Sequence, residues 1–327
     1  MPDYILSFAV ALVVTAVSGL FLIPALRRLK FGQSILDIGP KWHKSKQGTP
    51  TMGGFMFMIG ISVAVFAVGF PYMLDGNWGH VFVLLFAWIF GIIGFIDGFQ
   101  KVKKRQNLGI TALQKLFLQL AVGAALIALL RYFGYLTEII YIPYVNVSIP
   151  MPFVLYAFIS LLLVAGMVNA VNLTDGIDGL CSGVTLPIAV LFAVLGWQWE
   201  KGELGIFAMA LAGGLVGFLI YNKHPAKVFM GDTGSLFLGG AVAGLGFVFD
   251  MPVLMIFVGL AYIFEMFSVI IQVLYFKATK GKRFFKMSPF HHHLEMSKWS
   301  EWKIFAAFVS VTAILCVIGY FGVANGR

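Results

Sequence analysis

Charge is what this sequence is short of. Asp, Glu, Lys and Arg make up 11% of its 327 residues, where water-soluble domains carry roughly 25%. Hydrophobic residues make up 60% and mean hydropathy is +0.92. No fold in water could cover that much apolar side chain, so a soluble globular domain is excluded and lipid is the implied solvent. Cysteine is almost missing as well. Cys181 and Cys316 both lie among apolar neighbours, which excludes a disulfide framework or a cysteine metal site and leaves two small buried side chains. The opening Met1-Pro2-Asp3-Tyr4 has no basic stretch before the first apolar run and no small-residue cleavage pattern after it. It therefore reads as the start of a spanning helix rather than a signal peptide. Linkers and low-complexity tracts are absent too, and residues 1–327 read as a single polytopic membrane domain.

What is present is a series of long apolar runs. A hydrocarbon core of about 30 Å takes roughly 20 helical residues. Ten runs qualify: Tyr4–Leu26, Phe55–Leu74, His80–Ile96, Thr111–Tyr132, Val154–Val171, Leu180–Trp199, Leu204–Tyr221, Thr233–Phe249, Val253–Phe276 and Ile304–Val323. The fold class that follows is an all-α integral membrane protein of ten transmembrane helices. One segment differs: Ile140 and Ile142, then Val145, Val147 and Ile149, alternate around Pro143-Tyr144. That pattern predicts a small β-hairpin on the extracellular side.

Of the 23 Lys and Arg residues, 20 fall in or beside the connections after the odd-numbered runs, and only Arg131, Lys201 and Arg327 fall on the other side. Positive charge stays in the cytoplasm, so those connections are expected to be cytoplasmic and both termini extracellular. Acids break the rule. Asp37, Asp97, Asp175, Asp178, Asp232, Glu265, Glu295 and Glu301 share the basic side or the membrane half leading to it. Carboxylates set into a basic face point to a task other than topology.

Five connections hold nearly every unusual polar residue. The first runs Lys46-Gln47-Gly48-Thr49-Pro50-Thr51-Met52-Gly53-Gly54; Lys and Thr can hold a phosphate or a nucleoside while glycines let backbone come close, though the same string could be a turn entering the second run. The second has Asp97, then Lys101, Lys103, Lys104, Arg105 and Lys115, which topology alone could explain. The third, Asn172-Leu173-Thr174-Asp175-Gly176-Ile177-Asp178-Gly179-Leu180, is a compact set of hard oxygen ligands of the kind Mg²⁺ shares with substrate phosphates, or a turn capping the next helix. The fourth, Asn222 to Leu236, contains Phe229-Met230-Gly231-Asp232-Thr233-Gly234, where Asp232 could equally be a helix cap. The fifth contains His291-His292-His293-Leu294-Glu295. Adjacent side chains on a chain point apart, so phosphate contact suits the triplet better than one shared metal. Glu265 lies inside the ninth run, where an acid is costly and functional by default. Acids for a cation, bases for phosphate and glycines for close approach are the parts of phosphoryl transfer. A transporter is the rival reading, but it would place its charges near the bilayer midplane on broken helices.

These motifs, together and in order, resemble the phospho-N-acetylmuramoyl-pentapeptide transferases of bacteria, a branch of the polyprenyl-phosphate N-acetylhexosamine-1-phosphate transferase superfamily. The resemblance covers essentially the whole chain. Thr49-Pro50-Thr51-Met52-Gly53-Gly54 and the His triplet followed by Leu294-Glu295 favour this branch over its sister transferases that use UDP-N-acetylglucosamine. It implies a Mg²⁺-dependent enzyme of the bacterial plasma membrane that moves phospho-N-acetylmuramoyl-pentapeptide from UDP to undecaprenyl phosphate, giving lipid I and UMP. It further implies Asp97, Asp175 and Asp232 as catalytic, with Asp232 the metal ligand. Lys101, Lys115, His291, His292 and His293 would hold phosphates, and Lys46, Thr51, Asn172, Asp178, Asn222 and Phe229 would lie at or near uridine. A homodimer through membrane helices is implied as well. The chain departs from the family at one point: Asp97 is followed by Gly98, where a second aspartate is usual. Asp97 is then the carboxylate that should matter.

Overall fold

The computed structural model describes residues 1–29, 46, 48–104 and 109–323, the side chains of 102–104 excepted. Lys30, Asp37, Lys41, Lys44, Arg105 and Arg327, and the side chains of Lys103 and Lys104, all part of the charge pattern above, lie outside it. Among the described residues ten helices are long and apolar enough to cross a membrane. In lipid a chain must satisfy its own backbone hydrogen bonds, so each apolar run becomes a helix. They are α1 (Pro2–Arg28), α2 (Gly54–Leu74), α3 (Gly79–Lys104), α4 (Ala112–Tyr132), α5 (Phe153–Thr174), α6 (Leu180–Gln198), α7 (Gly202–Asn222), α8 (Gly231–Val248), α10 (Leu260–Ala278) and α12 (Glu301–Val323). Two short helices complete the set, α9 (Pro252–Val258) and α11 (Phe290–Glu295).

The ninth run, read as one span, is two helices. They are separated at Gly259, where a Cβ would come within 2.7 Å of the Met167 side chain on α5. The hairpin forms, with β1 (Ile139–Ile142) antiparallel to β2 (Val147–Pro150) and Ile142 opposite Val147. Val145 is not in the second strand: the turn spans four residues, 143–146, with Tyr144 and Asn146 at positive φ. Tyr144 is drawn there by α12, donating its backbone N–H to Gly322 O at 3.2 Å and its hydroxyl to Ile318 O.

The most buried helix is α8, whose glycines and alanines let α3 lie directly against it, as small residues do between helices in lipid. Around it α1, α2, α6 and α7 pack as one group, while α5 links α8 to α4 and α10. This packing brings the end of α3 and the starts of α4, α6 and α8 to one end of the bundle, with the hairpin at the other.

Candidate active site

At that end, four helix termini meet in a network of opposite charges. Asp97 and Lys101 stand one turn apart on α3, and Lys101 Nζ lies 3.1 Å from Asp97 Oδ2 and 2.5 Å from Asp232 Oδ2. Lys115, in the first turn of α4, donates to Asp97 Oδ2 at 3.3 Å and to Asn172 Oδ1 at 3.2 Å, with Asp232 Oδ1 at 4.0 Å. Its helix starts from a capping box between Thr111 and Gln114. Asn172, in the last turn of α5, passes its amide N–H groups to Asp232 Oδ1 at 2.9 Å and Ser235 Oγ at 2.7 Å. The backbone N–H of Ile110 donates to Asp97 Oδ1 at 3.0 Å. Asp97, Lys101, Lys115, Asn172 and Asp232 thus form one connected set drawn from four helices.

Asp232 occupies the first turn of α8, where the helix N-terminus favours negative charge. Its backbone fits only because residue 94 of α3 is glycine: a Cβ there would stand 2.1 Å from Asp232 O. Thr51 is beside it, its Oγ1 2.5 Å from where a Cβ on Gly231 would sit. The segment preceding α8 runs along the first connection, Phe229 N–H donating to Pro50 O and Gly53 N–H to Phe229 O, both at 2.8 Å. Phe229 itself is half-buried. Asp175 caps α5 at the rim. Burial, with the carboxylates of Asp232 and Asp178 nearby, pushes its carboxyl up to about 8.

A second polar cluster adjoins the first. Lys46 Nζ lies 2.8 Å from Asp178 Oδ1 and 2.7 Å from Glu301 Oε1. His224 Nδ1 stands 2.9 Å from Asp178 Oδ2 and 3.4 Å from Glu301 Oε2, and Ala226 N–H donates to Asp178 at 2.9 Å. Ligand atoms of Asp178, His224 and Glu301 lie within 4.8 Å of one another, a set that could hold a metal ion. The Lys46 ammonium already bridges both of its acids. Neither His224 nor Glu301 was assigned a specific role from sequence, though Glu301 is one of the acids set into the basic face. His224 was visible only within the connection from Asn222 to Leu236, and Glu301 only as one of the eight acids on the basic side. Asn222 is a brace, its buried amide accepting Gly179 N–H at 3.1 Å and donating to Val228 O at 2.9 Å.

The three histidines part company on α11. His291 is fully buried; its N–H donates to Glu265 Oε1 at 3.1 Å, and its Nδ1 is 3.2 Å from Glu265 Oε2. The intramembrane acid therefore anchors the fifth connection. The other face of the ring fills the space a side chain at Gly176 would need, with Nε2 2.0 Å from a Cβ built there. His292 lies 4.1 Å from His291, centroid to centroid, closer than adjacent side chains pointing apart would be, with Nδ1 2.6 Å from Glu295 Oε2. His293 stacks on Phe290 and accepts Lys286 N–H at Nδ1.

Comparison with known proteins agrees with this assembly. Residues 80–250 match the family model described as glycosyl transferase family 4. Over 323 residues the chain is 45% identical to the phospho-N-acetylmuramoyl-pentapeptide-transferase of Clostridium botulinum (strain Alaska E43 / Type E3), covering 98% of this chain and 96% of that one. It is 44% identical over 318 residues to the protein of that name from Halalkalibacterium halodurans, covering 97% and 96%, and 42% identical over 314 residues to that of Listeria monocytogenes, covering 95% of each. With ten membrane-crossing helices and bacterial relatives across its length, the chain belongs to the phospho-N-acetylmuramoyl-pentapeptide transferases of glycosyl transferase family 4, multi-pass enzymes of the bacterial membrane.

Proposed function

We propose that the network of Asp97, Lys101, Lys115, Asn172 and Asp232 transfers phospho-N-acetylmuramoyl-pentapeptide from its UDP carrier to undecaprenyl phosphate on the cytoplasmic side of the membrane. An oxygen of the lipid phosphate attacks the sugar-linked phosphorus, the bond from that phosphorus to the UMP oxygen breaks, and lipid I and UMP result. One phosphoanhydride replaces another, so no further energy source is needed. The single observation that carries the reading is the meeting of two carboxylates and two ammonium groups within hydrogen-bond distance at one helical end. Phosphoryl transfer asks for such positioning and charge neutralisation.

Asp97 receives the lipid phosphate, orienting it and taking its proton where it carries one. Lys101 and Lys115, now neutralised by acids, turn to the substrate oxygens. Lys46, Asp178 and Thr51 hold the uridine end, and Phe229 lies against the base. His292 on α11 contacts the sugar phosphate, while the buried His291 anchors that helix to Glu265. Asp232 and Asp175 offer carboxylate oxygens at the start of α8 and the end of α5, and burial together with the carboxylates of Asp232 and Asp178 pushes the Asp175 carboxyl up to about 8. Both features fit Mg²⁺, which takes hard oxygen ligands and is shared with phosphates. Asp232 would hold it, with Asp175 next to it, and the bound ion would supply charge neutralisation for the pyrophosphate. Residues 1–327 act as one domain with both termini extracellular, and two copies pair through membrane helices.

The test compares donors. Purified protein in nanodiscs containing undecaprenyl phosphate should transfer sugar label from UDP-N-acetylmuramoyl-pentapeptide into the butanol phase, and should transfer none from UDP-N-acetylglucosamine. Transfer from the second donor alone would move the chain to the sister activity.

A further inference from the structure

Below the charged network α4 and α5 share a second polar rung. Gln119 is wholly buried, yet it lies on a helix most of whose surface is exposed. Its Nε2 donates to Asn169 Oδ1 at 3.3 Å, and Asn169 Nδ2 donates back to Gln119 Oε1 at 2.7 Å and to Ala165 O at 2.8 Å. Gln119 is one turn from Lys115 on α4, and Asn169 one turn from Asn172 on α5. The two rungs, Lys115 to Asn172 and Gln119 to Asn169, therefore stack on a single helix–helix seam.

Rotation or sliding of α4 by a fraction of a turn would break both rungs. In lipid there is little hydrophobic drive to hold helices in one register, so interhelical hydrogen bonds and close packing set it. Further along, the seam continues as apolar packing, Gly123 against Leu161 and Val164, until Arg131 lies over the Phe153 ring at its far end, 3.8 Å from the centroid. An apolar seam tolerates small slides; a reciprocal amide pair has one geometry in which all four groups are satisfied. Lys115 needs that definition, because it serves Asp97 on α3 and Asn172 on α5 at once.

We propose that Gln119 is a positioning residue: its amide pair with Asn169 sets the register in which Lys115 meets Asp97 and Asn172. The proposal rests on the network above being the site of transfer. Displacing a reacting group by about 1 Å can cost on the order of a hundredfold in rate, so Gln119→Met should lower kcat by about ten- to a hundredfold while KM for the UDP donor moves less than about threefold.

The experiment measures kcat and KM in nanodiscs for Gln119→Met, Asn169→Leu, the exchanged pair Gln119→Asn with Asn169→Gln, Lys115→Ala, and Lys115→Ala with Gln119→Met. Support is a loss of kcat in both single variants, recovery in the exchanged pair, and a combined variant no slower than Lys115→Ala alone, since Gln119 acts through that lysine. A kcat within twofold of the parent in Gln119→Met, or a combined variant slower by the product of the two losses, overturns it. Should one variant fail to fold, the other single variant and the exchanged pair still decide. Failure of the site reading looks different: Lys115→Ala would then itself leave kcat unchanged.

Discussion

Replacing Asp232 by Asn changes shape hardly at all and removes one charge from the centre of the network. Its two carboxylate oxygens accept from different donors, Lys101 at Oδ2 and Asn172 at Oδ1. An amide in the same place has one acceptor oxygen, so its NH₂ must face either the Lys101 ammonium or the Asn172 NH₂, donor against donor. A hydrogen bond to a charged group contributes about 1.5–3 kcal/mol. One such bond is lost, and the negative charge that would draw the cation and align the pyrophosphate goes with it. A fall in kcat of at least about 100-fold, about 2.7 kcal/mol of barrier, is the expected result. Folding should survive, because the Lys101 side chain is 34% exposed and can turn to water. The assay is UMP release from the UDP donor with undecaprenyl phosphate and Mg²⁺, alongside a melting curve of the detergent-solubilised variant. An Asp232→Asn protein that melts with the parent and turns over within tenfold of it would refute the placement of the cation and of the transfer chemistry.

Three other perturbations follow from the same geometry. The Asp175 carboxyl ionises near 8 in the fold and near 3.9 in the unfolded chain. The folded state therefore holds the extra proton between those values, and its stability should decline as pH rises from about 4 to about 8; at limiting Mg²⁺ kcat/KM should rise roughly tenfold from pH 7 to 9, and Asp175→Asn should abolish both slopes in melting and rate profiles. Glu265→Ala strands the buried His291 N–H and should cost about 1–3 kcal/mol in thermal denaturation, whereas Glu265→Gln retains an acceptor and should melt within a few degrees of the parent. Lys46→Met leaves Asp178 and Glu301 facing each other without their shared cation; KM for the UDP donor should rise about tenfold in steady-state kinetics with kcat changed far less, and an unchanged KM would remove Lys46 from the donor site.

The parts of this fold that the bilayer dictates could be read from sequence, and the parts that pairwise packing dictates could not. Each long apolar run became helical because lipid leaves the backbone no other partner. The break at Gly259 gave no signal, since one glycine in an apolar run can be tolerated; only the approach of Met167 from α5 shows why it matters. Val145 fitted the alternation of a strand, yet contacts from α12 to Tyr144 hold its neighbourhood in a four-residue turn. The charged residues of the site stood out because acids are out of place on a basic face. Which of them touch could not be read: Lys46 finds Glu301 across 255 positions and Asp97 finds Lys115 across a connection between helices. Gln119 and Asn169 were invisible because a single amide in an apolar run looks like tolerated polarity until its partner is seen. Gly98, where the family usually has a second aspartate, leaves the network intact, for Asp97 reaches both lysines without a neighbouring acid and Asp232 reaches them from α8.

The central claim is that connections far apart in sequence close one charged pocket that joins a lipid phosphate to a sugar phosphate. Its most direct measurement is the stoichiometry of products when enzyme, UDP-N-acetylmuramoyl-pentapeptide and undecaprenyl phosphate are mixed, with and without Mg²⁺. One UMP per lipid-linked sugar phosphate, and neither product when the lipid phosphate or the ion is left out, is the predicted result. UMP released at the same rate without the lipid phosphate, or no UMP under any condition from a folded protein, would contradict it.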